Sequence, residues 1–187
     1  MLEHLHQRQS TPARLLAEPA PSDNDITAIV RAGLAAPDHA RMRPWRFLVI
    51  RGDARNKLGE IFYQATLKRE PDMPSEKLDK QKGKPLRSPL ILVTIAKITP
   101  DHPKTPEIEQ ILSAGAAMQL MQLAASSLGY GSIWLTGPNA HDPFVKSELG
   151  INAGDELVGF LYIGTTTHTR EIVARANIED HLEHWPG

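Results

Sequence analysis

The chain has 187 residues, 41% hydrophobic and 23% charged, with a formal net charge of −1 at pH 7; this suits one folded unit with a sizeable core and leaves little room for a second. The near-neutral balance gives no electrostatic case for nucleic acid or a membrane surface as partner. Cysteine is absent, which excludes disulfides, thiolate nucleophiles and cysteine-bound metals together. MLEHLHQRQS carries no apolar leader and no run is long enough to span a bilayer, so the expected location is the cytoplasm.

Residues 2–9 read as a short helix, followed by a link in which Pro12, Pro19 and Pro21 oppose continuous helix. Ser22 and Asp25 form a capping-box-like start, and Ile26, Ile29, Val30 and Leu34 give one apolar stripe that Pro37 ends. RFLVIR (46–51) reads as a strand, and Gly52-Asp53 opens a helix to about residue 69. From Lys68 to Arg87 the chain is charged and weakly periodic. KLDKQKGKPLR in that stretch invites a phosphate-binding reading, but a solvated helix end and loop is the expectation, as for most charge runs. PLILVTIAK (89–97) is a β-branched run typical of a buried strand.

Glu107 to Leu128 is the longest helical segment. Its apolar residues do not fit one stripe, and Ser113-Ala-Gly-Ala-Ala117 would let another backbone come close. A helix apolar on several faces is buried on several faces, so a role shared between core and subunit interface is expected. GYGSIWLTG (129–137) is a glycine-led strand, Asp142-Pro143 starts a short helix closed by Gly150, and ELVGFLYIG (156–164) is the last strand. Residues 165–187 are polar and patternless. Four strands with irregularly placed helices predict an α+β domain over 1–187, not a doubly wound parallel sheet.

Several motifs are decoys. GYG at 129–131 follows a helix and opens a strand, the reverse of a dinucleotide turn, and lacks a third glycine. His4-x-His6 and His181-x-x-His184 match no metal-ligand pattern, so no metal is expected. Ser113, Ser126 and Ser127 have no spacing-linked base. What remains is RQS (8–10), APDHARMRPW (36–45) and GSIWLTG (131–137), each of which alone reads as capping, loop or core.

In order along the chain, Arg8-Gln9-Ser10, LAEPAP (16–21), RAGLAAPDHARMRPWRFLVI (31–50), SAGAAMQLMQLAASSLGYGSIW (113–134) and VGFLYIGT (158–165) resemble the flavin-dependent nitroreductase family, specifically a small bacterial branch of NAD(P)H nitroreductases. The resemblance implies an antiparallel sheet flanked by helices in an intertwined homodimer. FMN would lie at the interface and the tail, 165–187, would cross to the partner. Residues implied to bind the cofactor are Arg8, Gln9, Ser10, Trp134, Leu135 and Thr136, with Ala35 and His39 reaching from the partner subunit. Arg8 and Ser10 suit a phosphate or ribityl chain, His39 would serve as a hydrogen-bond donor or stacking edge, and glycines 129 and 131 would let the backbone approach the ring. Trp45 reads as structural.

The implied activity moves hydride from NAD(P)H through FMN to a nitroaromatic or quinone-like acceptor. No catalytic side chain is needed, because the cofactor carries the chemistry. Dehalogenation, other flavin chemistry, or non-catalytic flavin binding are the alternatives. Three departures concern cofactor affinity: Gln9 in place of a second arginine, Leu135 in place of arginine, and GTTT in place of GTP at the last strand. Arg170 or Arg175 are candidates for the missing charge.

Overall fold

The computed structural model describes residues 2–166 and 173–187. Arg170 and the 167–172 part of the expected tail lie outside them. Helix α1 (Leu2–Gln7) leads into α2 (Asp23–Gly33), whose Ser22 hydroxyl accepts from Asp25 N–H while the Asp25 carboxylate accepts from Ser22 N–H. This is the capping box read from sequence, and Tyr130 OH also donates to Asp25 at 2.9 Å. Helix α2 stops at Gly33, before Pro37, because Ala35 and Ala36 tighten the chain with bonds to Ala32 and Gly33 carbonyls.

Strand β1 (Trp45–Arg51) is followed by α3 (Ala54–Arg69) and α4 (Ser75–Lys82). After β2 (Leu90–Ala96) come α5 (Glu107–Ser127), β3 (Gly131–Leu135), α6 (Pro143–Glu148) and β4 (Glu156–Gly164). Among the described residues the four strands form one antiparallel sheet in the order β1-β2-β4-β3.

Burial follows the two-residue period of a strand. Ile91, Val93, Ile95, Phe160 and Tyr162 pack with Leu58, Phe62 and Ala65 of α3 on one face. Leu90, Leu92, Leu161 and Ile163 pack with Ile29 of α2 and Met118 and Met121 of α5 on the other. Covered on both faces, β2 is buried at every residue, which explains its unbroken apolar run.

The small residues of α5 have a local purpose. A Cβ at Gly33 would sit 2.8 Å from Met121 Cγ and 3.2 Å from Ala117 O, so α2 is the backbone that comes close. Helix α5 nevertheless leaves Ile108 59% and Leu112 64% exposed, and Leu34, just past α2, is 52% exposed. The segment after α1 closes the sheet's β3 side: Thr11 N–H donates to Ser132 O at 2.8 Å, and Ala17 bridges to Thr165.

Candidate functional site

Strand β3 is an edge strand, and its free edge is the starting point of the site. Because Ser132 O accepts from Thr11, the Ser132 backbone faces away from β4. By the strand period Trp134 presents its backbone groups the same way. The indole is committed elsewhere. Trp134 Nε1 donates to Val158 O at 3.3 Å, and a Cβ on Gly159 would collide with the ring. On its other side, a Cβ on Gly115 would be in ordinary contact at 3.8 Å. What this part of β3 offers a ligand is therefore main chain.

A cavity of about 460 Å³ opens beside Trp134, Leu135 and Thr136, walled by Phe62, Phe160 and Tyr162 and by Lys84 and Arg87. The two cations come from the charged run expected to be a solvated helix end and loop. The run forms the end of α4 and a tight turn over Lys84–Arg87, largely exposed as expected, with Lys84 half-buried. Gly59 of α3 lies against the Lys82 carbonyl with no room for a side chain, and Arg55 Nη1 holds Ser88 O at 2.8 Å. Both contacts tie the turn to α3. Among the described residues neither Lys84 nor Arg87 has an ion-pair partner. Burial, then the charges of Arg87 and Arg69, lowers the Lys84 ammonium below its ordinary pKa. Arg69 itself is anchored by Asp142 and by Asn139 Oδ1 at 2.9 Å, the latter a residue of the cavity wall. Such a site, apolar-walled with unopposed positive charge, suits a planar ligand carrying negative charge.

Arg8, Gln9 and Ser10 follow α1 and lead into the Thr11 contact. Arg8 Nη1 is buried with no hydrogen-bond partner among the described residues. The guanidinium of Arg175 donates to the carbonyls of His6, at 2.9 Å, and Arg8, so the tail brings a second arginine to this segment. The turn Ala13–Leu15 then packs against Lys84–Arg87. Ala35 and His39 do not line the cavity. Ala35 is exposed just past α2. His39 sits in a loop where Asp38 accepts from Met42 N–H at 3.0 Å and Arg43 N–H at 2.8 Å, and its Nδ1 lies 2.7 Å from Glu109 Oε2.

A model of the nitroreductase family matches residues 5–165. "Putative NAD(P)H nitroreductase YdjA" of Escherichia coli is 42% identical over 164 residues, covering 88% of this chain and 87% of that protein. The chain belongs to the nitroreductase family. Among solved structures, the "Nitroreductase-like Family Protein" from Bacillus cereus is 24% identical, with a TM-score of 0.84 over 100% of this chain and 96% of that one. A "putative nitroreductase in complex with FMN" from Desulfovibrio desulfuricans is 25% identical, with a TM-score of 0.73 over 98% and 95%. No helix of the described residues is long and apolar enough to cross a membrane.

As a nitroreductase the chain departs from the sequence reading in three ways. Gly131 is required by its own N-terminal segment, since a Cβ there would lie 2.8 Å from Leu16 Cδ2 and 3.1 Å from Thr11 Oγ1. Gly129 has open space around it and a φ of +86°, so it turns the chain out of α5. Neither glycine is explained by approach of a ligand. Finally, Lys84, Arg87 and Glu109 were missed: one pair lay in a run that resembled solvated surface, and Glu109 is 70 residues from His39, a separation no local pattern can bridge.

Proposed function

We propose that this nitroreductase-family protein is an FMN-dependent oxidoreductase that transfers hydride equivalents from NAD(P)H to an electron-poor acceptor, nitroaromatic or quinone-like, by alternating occupancy of one site. The observation that carries this reading is the β3 edge at Trp134 bordering a cavity in which, among the described residues, Lys84 and Arg87 have no ion-pair partner. The FMN complex of a relative of the same fold supports it.

The residues present fit the cofactor. A phosphate monoester carries roughly two negative charges near neutral pH, and the buried, unpartnered Nη1 of Arg8 is a donor awaiting such an acceptor. Arg8 and Ser10 would hold the phosphate or ribityl chain, and Arg175, set on the Arg8 carbonyl, offsets the arginine replaced by Gln9. Main-chain groups of Trp134 and Thr136 would hold the ring, with Leu135, whose backbone faces β4, lining the cavity beside it. FMN held there would supply the hydride chemistry, two electrons and a proton, that links the nicotinamide to the acceptor. The chain's own contribution is alignment and a positive field: Lys84 and Arg87 favour negative charge in the cavity, and Phe62, Phe160 and Tyr162 exclude water on its inner side.

The dimer belongs to this proposal. Ile108, Leu112 and Leu34 leave an apolar face on α5 and α2 suited to a second copy, through which Ala35 and His39 would reach the partner's cofactor. The whole 1–187 chain would act as one domain, its tail contributing to the partner. The test is anaerobic: purified protein loaded with FMN should bleach with NADH or NADPH and recover its yellow colour with a nitroaromatic. Retained FMN without bleaching by either donor would leave a passive flavin binder, and failure of FMN to raise thermal stability would remove the cofactor altogether.

A further inference from the structure

The contact between His39 and Glu109 joins two rigid supports. On one side, two main-chain donors to Asp38 close the loop, and Ala40, Arg41 and Arg43 are all held at positive φ, 59°, 55° and 51°. Non-glycine residues rarely adopt this region, and a run of them persists only where surrounding contacts enforce it. On the other side, Gln110 is fully buried. Its Oε1 accepts from Thr99 N–H at 2.8 Å, and its Nε2 donates to the carbonyls of Thr99 at 2.9 Å and Thr105 at 3.0 Å. That clamp fixes the first turn of α5 and with it the neighbouring Glu109.

A carboxylate accepts only, so the ring nitrogen 2.7 Å away, Nδ1, carries the proton. In a neutral imidazole the other nitrogen, Nε2, then holds a lone pair. An imidazole whose far nitrogen is fixed by a carboxylate has its tautomer and its ring plane set together. His39 keeps 54% of its side chain exposed in this pair, so the ring remains available to a ligand.

We propose that Glu109 is a positioning residue that fixes His39 as the Nδ1–H tautomer, so that Nε2 meets the bound ligand as a hydrogen-bond acceptor and selects a donor group, a hydroxyl or an N–H, on it. This rests on the proposed role of His39 at the cofactor and reverses the donor role implied by resemblance. Glu109 touches no reacting atom; it acts through His39.

The tautomer is read without any cofactor. Two-bond ¹H–¹⁵N correlation spectra at about pH 9, where imidazoles are neutral, should show His39 protonated at Nδ1. The signal is assigned by its loss in His39→Asn. Glu109→Ala should shift His39 towards the Nε2–H form and weaken FMN binding roughly three- to tenfold, the value of one hydrogen bond. Glu109→Asp should recover part of both. In a His39→Ala background Glu109→Ala should change FMN affinity no further. An Nε2–H tautomer in the unaltered protein, a tautomer indifferent to Glu109→Ala, or an affinity loss that persists without His39 would each overturn the proposal. If the unaltered protein binds no FMN, the cofactor reading fails while the spectra still decide the Glu109–His39 assignment.

Discussion

At the scale of the residue, the charges in the cavity set function against stability. Arg8→Ala removes a charge-assisted donor and should weaken FMN at least about tenfold in a fluorescence-quenching titration; unchanged affinity would remove Arg8 from the site. Lys84 behaves differently, because its folded-state pKa lies below that of the unfolded chain. The unfolded state then binds more protons, so Lys84 destabilises the fold at pH values below its folded pKa. That penalty is relieved as pH climbs through the folded pKa towards the ordinary lysine value of 10.5. Lys84→Met should therefore raise the Tm of the cofactor-free protein at pH 7, flatten the rise in stability on the alkaline side, and weaken FMN binding. A lower Tm in the variant would contradict the assignment of Lys84 as a half-buried cation without an ion-pair partner among the described residues. The same residue shows what the sequence left out: KLDKQKGKPLR is largely a solvated helix end and turn, as read, and only the fold shows that half-buried Lys84 borders a cavity.

At the scale of the element, the site depends on how closely β4 and β3 approach. Gly159 lies where β2 and β4 change register, and it leaves space that the Trp134 indole fills. Gly159→Ala should destabilise the protein by about 1–3 kcal/mol, as overpacking of a tight contact does, and should shift the tryptophan emission. It should also weaken FMN, because the main chain of β3 is carried by that indole. A wild-type emission spectrum and unchanged melting would show that Trp134 is not held there. Periodicity identified both strands correctly from sequence. It could not place Gly159 under Trp134, since the two residues meet only through the antiparallel pairing of β3 with β4.

At the scale of the whole molecule, the exposed apolar face of α5 is the one the proposed dimer would bury. Leu112→Glu puts a charge in the middle of that face without disturbing the buried side of the helix, formed by Ala114, Ala117, Met118 and Met121. On the proposed dimer, light scattering should report a dimer for the unaltered chain and a monomer for Leu112→Glu, with FMN affinity falling in parallel because Ala35 and His39 would no longer reach a second cavity. A dimer that survives Leu112→Glu would place the interface elsewhere. The sequence anticipated this face because residues such as Ile108 and Leu112 fell outside any one stripe, although much of the small-residue run proved to serve α2.

The sequence by itself determined the strands, the capping of α2 and α6, the α+β class and the family, because period, cap chemistry and motif order are local or linear properties of the chain. The tertiary structure alone decided which cations face the cavity, why Gly131 is glycine, and that Glu109 holds the histidine of APDHARMRPWRFLVI. Each of these depends on burial or on contacts between residues far apart in the chain. Such contacts form only when α4 seats on α3, the N-terminal segment closes on β3, and the first turn of α5 meets the loop after α2.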